Sequence, residues 1–313
     1  DRTIVPLHHL RSSWEGRNVI ALPRAEALEK TLDKRRTLEL AREYAVPVPS
    51  TSFPEEEGIP SLAARVRYPV VVKSRFSKHI CGDLLVSAPE PVFCGSDEEL
   101  CAAAGLFPAG CLVQEMIKGE GYGVSVLARE GEPLAIFAHR RLREENPLGA
   151  RSSFCESIRP PSPMKEYALS LLKALKWNGP AMVEFKWRGE EEPVLMEING
   201  RYWGSLPLAL AAGVNFPLLH YRLLMGEAVP PETDYRVGVR ARYLCADLQR
   251  LLEVWKGPPK PWLKSYPRRG EAVRDFLGGF SQPIKSFNSD WDDPLPGWAE
   301  LGRFVYKRIA QRA

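Results

Sequence analysis

Apolar and polar positions along the chain follow two periods, and each predicts a kind of element. Over residues 24–44, Leu28, Leu32, Leu38, Leu40, Ala41 and Tyr44 fall on one stripe at helical spacing. Val46-Pro47-Val48-Pro49 ends that helix, because a proline disfavours helix in the residue before it. Tyr68-Pro69-Val70-Val71-Val72-Lys73 is a β-branched run that predicts a buried strand ending in a lysine. Residues 84–93 predict a strand, 97–104 a short helix behind the cap residues Ser96 and Asp97, and 111–115 another strand. Gly119, Gly121 and Gly123 are expected to loosen the chain before a strand at 124–127. Glu130-Gly131-Glu132-Pro133 reads as a turn, and a strand at 134–139 returns from it, giving an antiparallel region.

The strongest helical pattern follows Ser162-Pro163, where Met164, Tyr167, Ala168, Leu171, Leu172 and Leu175 recur at three- and four-residue steps. Two strands follow, 181–187 and 194–199, joined by an acidic, glycine-containing turn. Residues 205–214 are nearly all apolar and predict a buried helix. Amphipathic helices are expected at 248–255 and 298–309. Trp255, Trp262, Trp291 and Trp298 read as residues that pack this proline-rich tail on the core. Residues 1–22 carry no clear period beyond a short strand candidate at 19–22.

Strand alternation makes the polar residues near the second hairpin informative. Glu197 and Asn199 share one face of their strand, and Glu184 shares a face with Met182 and Lys186. A turn centred between Glu190 and Glu191 sets Glu184 opposite Glu197. Two carboxylates and an amide then converge, while Val183, Phe185, Met196 and Ile198 mark the other face as core. Such a cluster suits a hard divalent cation that keeps positions for water and phosphate. Arg201, two residues on, suits a phosphate or carboxylate in a forked geometry. The bland alternative is a solvated hairpin face, and for Lys73 a snorkelling surface lysine.

Composition narrows the class without deciding it. The chain has 313 residues, 44% of them hydrophobic, and a formal net charge of +4, which is too small to point to nucleic acid by itself. No apolar run is long enough for a membrane span. The first residues show no basic segment followed by an apolar one, so no signal peptide is predicted. The six cysteines form no C-x-x-C pair and read as reduced, which predicts a cytoplasmic protein without structural zinc.

In order along the chain, Asp33-Lys34, Val70-Val71-Val72-Lys73, Val113-Gln114-Glu115-Met116-Ile117-Lys118-Gly119, Val183-Glu184-Phe185 and Met196-Glu197-Ile198-Asn199-Gly200-Arg201 resemble the ATP-grasp superfamily. The likeness is to the branch of carbamoyl-phosphate synthase, biotin carboxylase and the D-alanine ligases, and it runs from about residue 32 to 226. Phe137-Ala138-His139-Arg140-Arg141-Leu142-Arg143-Glu144 looks like a carboligase-like group within it. The resemblance implies an α+β fold in which two lobes with antiparallel sheets clasp ATP, followed by a helical tail. It implies a remnant of an N-terminal domain or a linker at 1–30, a small lobe and hinge at 31–118, a large lobe with the magnesium site at 119–228, and a packed extension at 229–313.

Carried over by position, Lys34 and Lys73 contact phosphates, and Gln114, Glu115 and Ile117 lie at the adenine edge, with Glu120 near the ribose. Glu184, Glu197 and Asn199 bind magnesium (or manganese), and Arg201 stabilises the transferred phosphate. Arg141 is the arginine singled out from Arg140, Arg141 and Arg143, whose alternative is a solvated cluster paired with Glu144 and Glu145. Residues 145–153 are expected to close over the site as a mobile loop. The implied activity joins a small carboxylate to an amine or other nucleophile through an acyl phosphate, in a protein whose assembly, if any, is a homodimer.

Two features depart from the family pattern. The stretch after Lys73, usually glycine-rich, reads Ser74-Arg75-Phe76-Ser77-Lys78-His79-Ile80-Cys81-Gly82, and only about thirty residues precede Asp33 where the family carries a domain. A nucleotide-binding regulatory subunit therefore stands as the alternative to an enzyme. Nucleic-acid binding by the tryptophan- and lysine-containing tail is a third class, and no nucleic-acid or membrane partner is expected.

Overall fold

The computed structural model describes residues 2–14, 16, 20–82, 84–232, 234–281, 283–290 and 292–310. The stripe over 24–44 folds as two helices, Ala25–Leu32 and Lys34–Glu43. Asp33 breaks them with an extended backbone (φ −96°, ψ 108°) that bridges to Phe76. Its carboxylate accepts from the Arg35 amide, capping the second helix, and from Arg75 Nε at 2.9 Å and Nη2 at 2.6 Å. A carboxylate only 3% exposed needs such partners. Ahead of this pair lie short helices at Ile4–His9 and Arg11–Trp14. Residues 20–22 are not in a strand, and Val19 lies outside the described residues.

The next part of the chain builds one sheet and one hairpin. It enters the sheet with β1 (Thr51–Ser52) and β2 (Val70–Ser74), leaves for a hairpin of β3 (Lys78–Cys81) and β4 (Leu84–Ser87), and returns with β5 (Val92–Cys94) and β6 (Cys111–Glu115). The sheet is antiparallel, in the order β1-β6-β2-β5. The strand expected at 84–93 is therefore two strands belonging to different units. On one face Val70, Val72, Cys94 and Val113 bury against Leu62, Leu100 and Phe107. The other face carries Val71, Lys73, Phe93 and Gln114, since directly paired residues share a side.

The larger sheet holds β7 (Glu120–Arg129), β8 (Glu132–Glu144), β9 (Ser152–Ile158), β10 (Gly179–Trp187), β11 (Val194–Asn199), β12 (Arg240–Arg242) and β13 (Lys285–Ser286). Its order is β11-β10-β7-β8-β9-β12-β13, antiparallel except for the parallel β12–β13 pair. Gly121 and Gly123 lie inside β7 rather than in a loosened lead-in, and they serve the site described below. One face buries Val124, Val126, Val183, Phe185 and Ile198 beneath the helix Ser162–Ala174 and the N-terminal helix pair. The other face buries Leu127, Ala135, Phe137 and Cys155 beneath the helices Leu206–Ala212 and Phe216–Leu224. The first of these helices buries Leu208, Ala209 and Ala212 as its apolar pattern predicts, while Leu210 is 43% exposed because only one side of it packs.

The remaining chain forms helices at Leu244–Lys256, Arg269–Gly278 and Leu295–Ala310. Of the four tail tryptophans, Trp262 packs on Gly95 and donates to Glu99 Oε2 at 3.2 Å. Trp255 and Trp298 are 57% and 68% exposed, so neither docks the tail, and Trp291 lies outside the described residues. All six cysteines are free. Among the described residues no helix is long and apolar enough to cross a membrane.

Candidate active site

The pairing of β10 with β11 sets Glu184 opposite Glu197 and Met182 opposite Asn199. Glu184, Glu197 and Asn199 therefore share one face, as the centred turn predicted. The register shifts immediately beyond, between Glu184 and Phe185. Asn199 Nδ2 donates to Glu184 Oε1 at 2.9 Å and to Glu197 Oε1 at 3.1 Å. From β8, Arg141 Nη2 meets Glu184 Oε2 at 2.5 Å and Nη1 meets Glu144 Oε1 at 2.9 Å. The glycines of β7 make room for this crossing. A Cβ on Gly121 would lie 2.8 Å from Arg141 Cδ, and one on Gly123 would lie 2.4 Å from His139 Cε1.

The charges around this pair are arranged to hold two carboxylates of unequal basicity. Burial raises the Glu184 carboxyl pKa; Arg141 opposes that, and the charge of Glu197 adds to it. Burial also works against the Glu197 carboxylate, but Lys34, Asn199, Arg201 and Lys73 outweigh it and hold the group below its usual range. Burial brings the Lys73 ammonium down to about 8, against the pull of Glu197 and with the help of Lys34 and Lys186. Lys34 is lowered by burial as well, against Glu197 and Asp33. Arg141 is held charged, because Glu184 and Glu144 overcome the cost of its burial.

The donors are two carboxylates and an amide, hard oxygen chemistry that fits magnesium. Asn199 presents its NH₂ to both carboxylates here, and a half-turn about χ2 presents its oxygen instead. Among the described residues there is no group of three or more His, Cys, Asp or Glu that could hold a metal, so the amide is needed to complete a set.

The carboxylates open on a cleft of about 940 Å³ between the two sheets. Val71, Lys73, Phe93 and Glu115 line it from the smaller sheet, Glu184, Lys186 and Glu197 from the larger, and Met116 and Ile117 from the segment joining them.

Residues 108–246 match the family described as "ATP-grasp in the biosynthetic pathway with Ter operon". The chain has the ATP-grasp fold. Its fold is similar to that of the biotin carboxylase domain of Hydrogenobacter thermophilus 2-oxoglutarate carboxylase, solved with MgADP and bicarbonate, at 18% identity and a TM-score of 0.59 over 76% of this chain and 55% of that one. N5-carboxyaminoimidazole ribonucleotide synthetase from Thermus thermophilus is similar at 18% identity and a TM-score of 0.58, over 76% and 63% of the two chains. For the L-amino acid ligase from Bacillus licheniformis the values are 16% and 0.55, over 72% and 57%. The chain thus spans between 55% and 63% of the length of these proteins. No curated protein matches it.

Within this ATP-grasp frame most of the expected residues converge. Lys34 Nζ donates to Ser77 Oγ at 2.8 Å, and both line the cleft with Lys73 and Lys78. The stretch after Lys73 thus reaches the cleft as a serine and a strand start rather than as a glycine loop. Gln114 is only 4% exposed, with its amide nitrogen on Thr51 Oγ1 at 3.0 Å, and Glu115 accepts from the Ser50 amide at 2.7 Å. The Ile117 carbonyl accepts from Lys186 Nζ at 3.3 Å. Arg201 Nη1 donates to the Tyr202 carbonyl at 2.9 Å, and Arg201 lines a second cavity with Glu197 and Asn199. Of the three clustered arginines only Arg141 turns to the carboxylates; Arg140 pairs with Glu156 and Arg143 with Asp247.

Glu120 is not brought to the cleft. It sits on the strand face opposite Gly121, where it accepts from the Tyr122 hydroxyl at 3.2 Å. Lys186 and Glu144 were not singled out from the sequence yet both line the cleft. Alternation from Glu184 was the available signal for Lys186. Of the segment 145–153, Glu145, Asn146, Leu148, Gly149 and Ala150 line the cleft, while Ser152 and Ser153 already belong to β9.

Proposed function

We propose that this chain is an ATP-dependent ligase that joins a carboxylate to an amine or other nucleophile through an acyl phosphate. The observation that carries the reading is the facing pair Glu184 and Glu197, bridged by Asn199, on a cleft that Lys34 and Lys73 also line. Residues 31–118 act as small lobe and hinge, 119–228 as large lobe, and 229–313 as an extension. The MgADP-bound carboxylase of the same fold supports a nucleotide in the cleft.

Magnesium held by Glu184, Glu197 and the Asn199 oxygen would neutralise charge on the phosphates. Lys34 and Lys73 hold the phosphate oxygens, and the backbone from Glu115 to Ile117 lies along the base. An oxygen of the acid attacks the γ-phosphorus, the bond to the β-phosphate oxygen breaks, and ADP leaves. The nucleophile then attacks the carbonyl carbon and releases phosphate. Arg201 offsets charge on the group being transferred, and Arg141 aims Glu184 and opposes the burial that raises its pKa. Residues 145–151 close over the cleft and exclude water.

Fixed charges of this kind are the main lever in phosphoryl transfer, and loss of one donor costs about 100- to 1000-fold in rate. Glu197→Gln is expected to lower ADP release by that factor while the fold stays intact by circular dichroism. Turnover close to that of the parent protein would refute the assignment.

A further inference from the structure

A second cavity, of about 440 Å³, lies on the far side of the carboxylates. Arg141, Ala150, Glu184 and Glu197 line both it and the larger cleft, so the two spaces meet at these residues. Its remaining wall comes partly from the C-terminal segment, through Tyr243, Phe287 and Asn288 just beyond β12 and β13. The Tyr243 and Phe287 rings stack at 6.2 Å and 11°, and the Arg151 guanidinium lies 5.0 Å over Tyr243. Backbone bonds fix this layer, from the Tyr243 amide to the Ser153 carbonyl at 2.7 Å and from the Phe287 amide to the Arg242 carbonyl at 3.1 Å. Trp203, 4% exposed, lines the same space, and its indole N–H has no partner among the described residues.

We propose that this second cavity binds the acid that is activated, that the acid is a small carboxylate on a flat apolar body, and that Tyr243, Phe287 and Asn288 form its selecting wall. The inference rests on the ligase reading above and adds to it where the acid sits and what kind of acid it is. Arg201 lines this cavity with Asn199 and with Glu197, which also lines the cleft, so a carboxylate beside Arg201 can take a charge-assisted bond close to the phosphate-binding carboxylates. Another part of the wall is a stacked aromatic layer topped by a guanidinium, which favours a ring over a flexible chain. The volume falls in the range of about 300–1,000 Å³ usual for small-molecule sites. The acid site is therefore built within this chain, with the C-terminal segment as one of its walls.

The test uses the full chain with magnesium and ADP, titrated with phenylacetate and with acetate by ligand-observed NMR. Phenylacetate is expected to bind at least about tenfold more tightly than acetate, since even one methylene in an apolar pocket is worth that much. Phe287→Ala is expected to erase most of this preference. Asn288→Trp, which fills the cavity in exchange for the Asn288 side-chain bonds to Ser286 and Glu300, is expected to abolish binding of both acids. Both variants should keep the ADP affinity of the parent. Equal affinity for the two acids, or a preference that survives both substitutions, overturns the proposal while leaving the nucleotide site standing. Failure of the parent protein to bind ADP overturns the ligase reading and this inference with it.

Discussion

Asp247 ties the C-terminal extension to the strand that carries Arg141, and its removal should be costly. It is 1% exposed and accepts from Arg143 Nε and Nη2, each at 2.7 Å, from Arg242 Nε at 2.7 Å and from Ser153 Oγ at 3.2 Å. The two guanidiniums are themselves 12% and 6% exposed, so neither can turn to water if the carboxylate is lost. Breaking a buried pair by removing one partner costs about 3–5 kcal/mol, because the remaining charge is stranded. A chain of 313 residues, at about 2.1 cal/mol/K of unfolding entropy per residue, gains roughly 0.7 kcal/mol/K on melting. Asp247→Ala should therefore lower Tm by roughly 5–8 °C, read by circular dichroism or calorimetry. Replacing Asp247, Arg143 and Arg242 together by leucine should recover part of the loss, since no charge is then left buried. A shift under about 2 °C for the single variant, or a triple variant no better than the single, would refute the reasoning.

Two further outcomes follow from the site. Burial holds the Lys73 ammonium near about 8 rather than 10.5, so raising the pH through 8 strips its charge in the free protein. A bound phosphate favours the charged form and raises that pKa again, so ADP should bind with proton uptake just above pH 8 and more weakly as the pH rises further. Calorimetry in two buffers of different ionisation heat measures the uptake, and its absence would remove Lys73 from the phosphate contacts. Gly123→Ala places a Cβ 2.4 Å from His139 Cε1 and 3.1 Å from Met182 Sδ, both within the packed sheet face. It should cost about 1–3 kcal/mol in urea unfolding, and a neutral result would mean that the sheet yields there at no cost.

The hairpin register was legible because it needs only two things, a period of two and a turn length. Those place Glu184 against Glu197, but nothing in the composition of 185–195 signals the shift that begins one residue later. The break at Asp33 was hidden for a different reason. Leu28, Leu38 and Ala41 bury on both pieces, so the stripe looks continuous, while the sign of the break was a cap-forming aspartate followed two residues later by the amide it accepts from. Gly121 and Gly123 misled in the opposite sense. Glycine weakens a strand, which suggests loose chain, yet in a sheet it also marks a place where other side chains must pass close to the backbone. Here those side chains are Arg141 and His139.

That close approach also explains which cations the sequence could rank and which it could not. Parity alone groups Arg141 with Arg143, two residues apart on β8. The register shift between them breaks the grouping and sends Arg143 to Asp247, leaving Arg141 alone on Glu184. Glu120 illustrates the converse. Once Gly121 and Gly123 are known to form the site face, alternation puts Glu120 on the other side of β7, so its exclusion was available from the sequence as soon as the function of the glycines was understood. The second cavity was not available in this way. Met182, Arg201 and Tyr243 come from distant stretches of chain, and only the β9–β12–β13 pairing brings the last of these to the carboxylates.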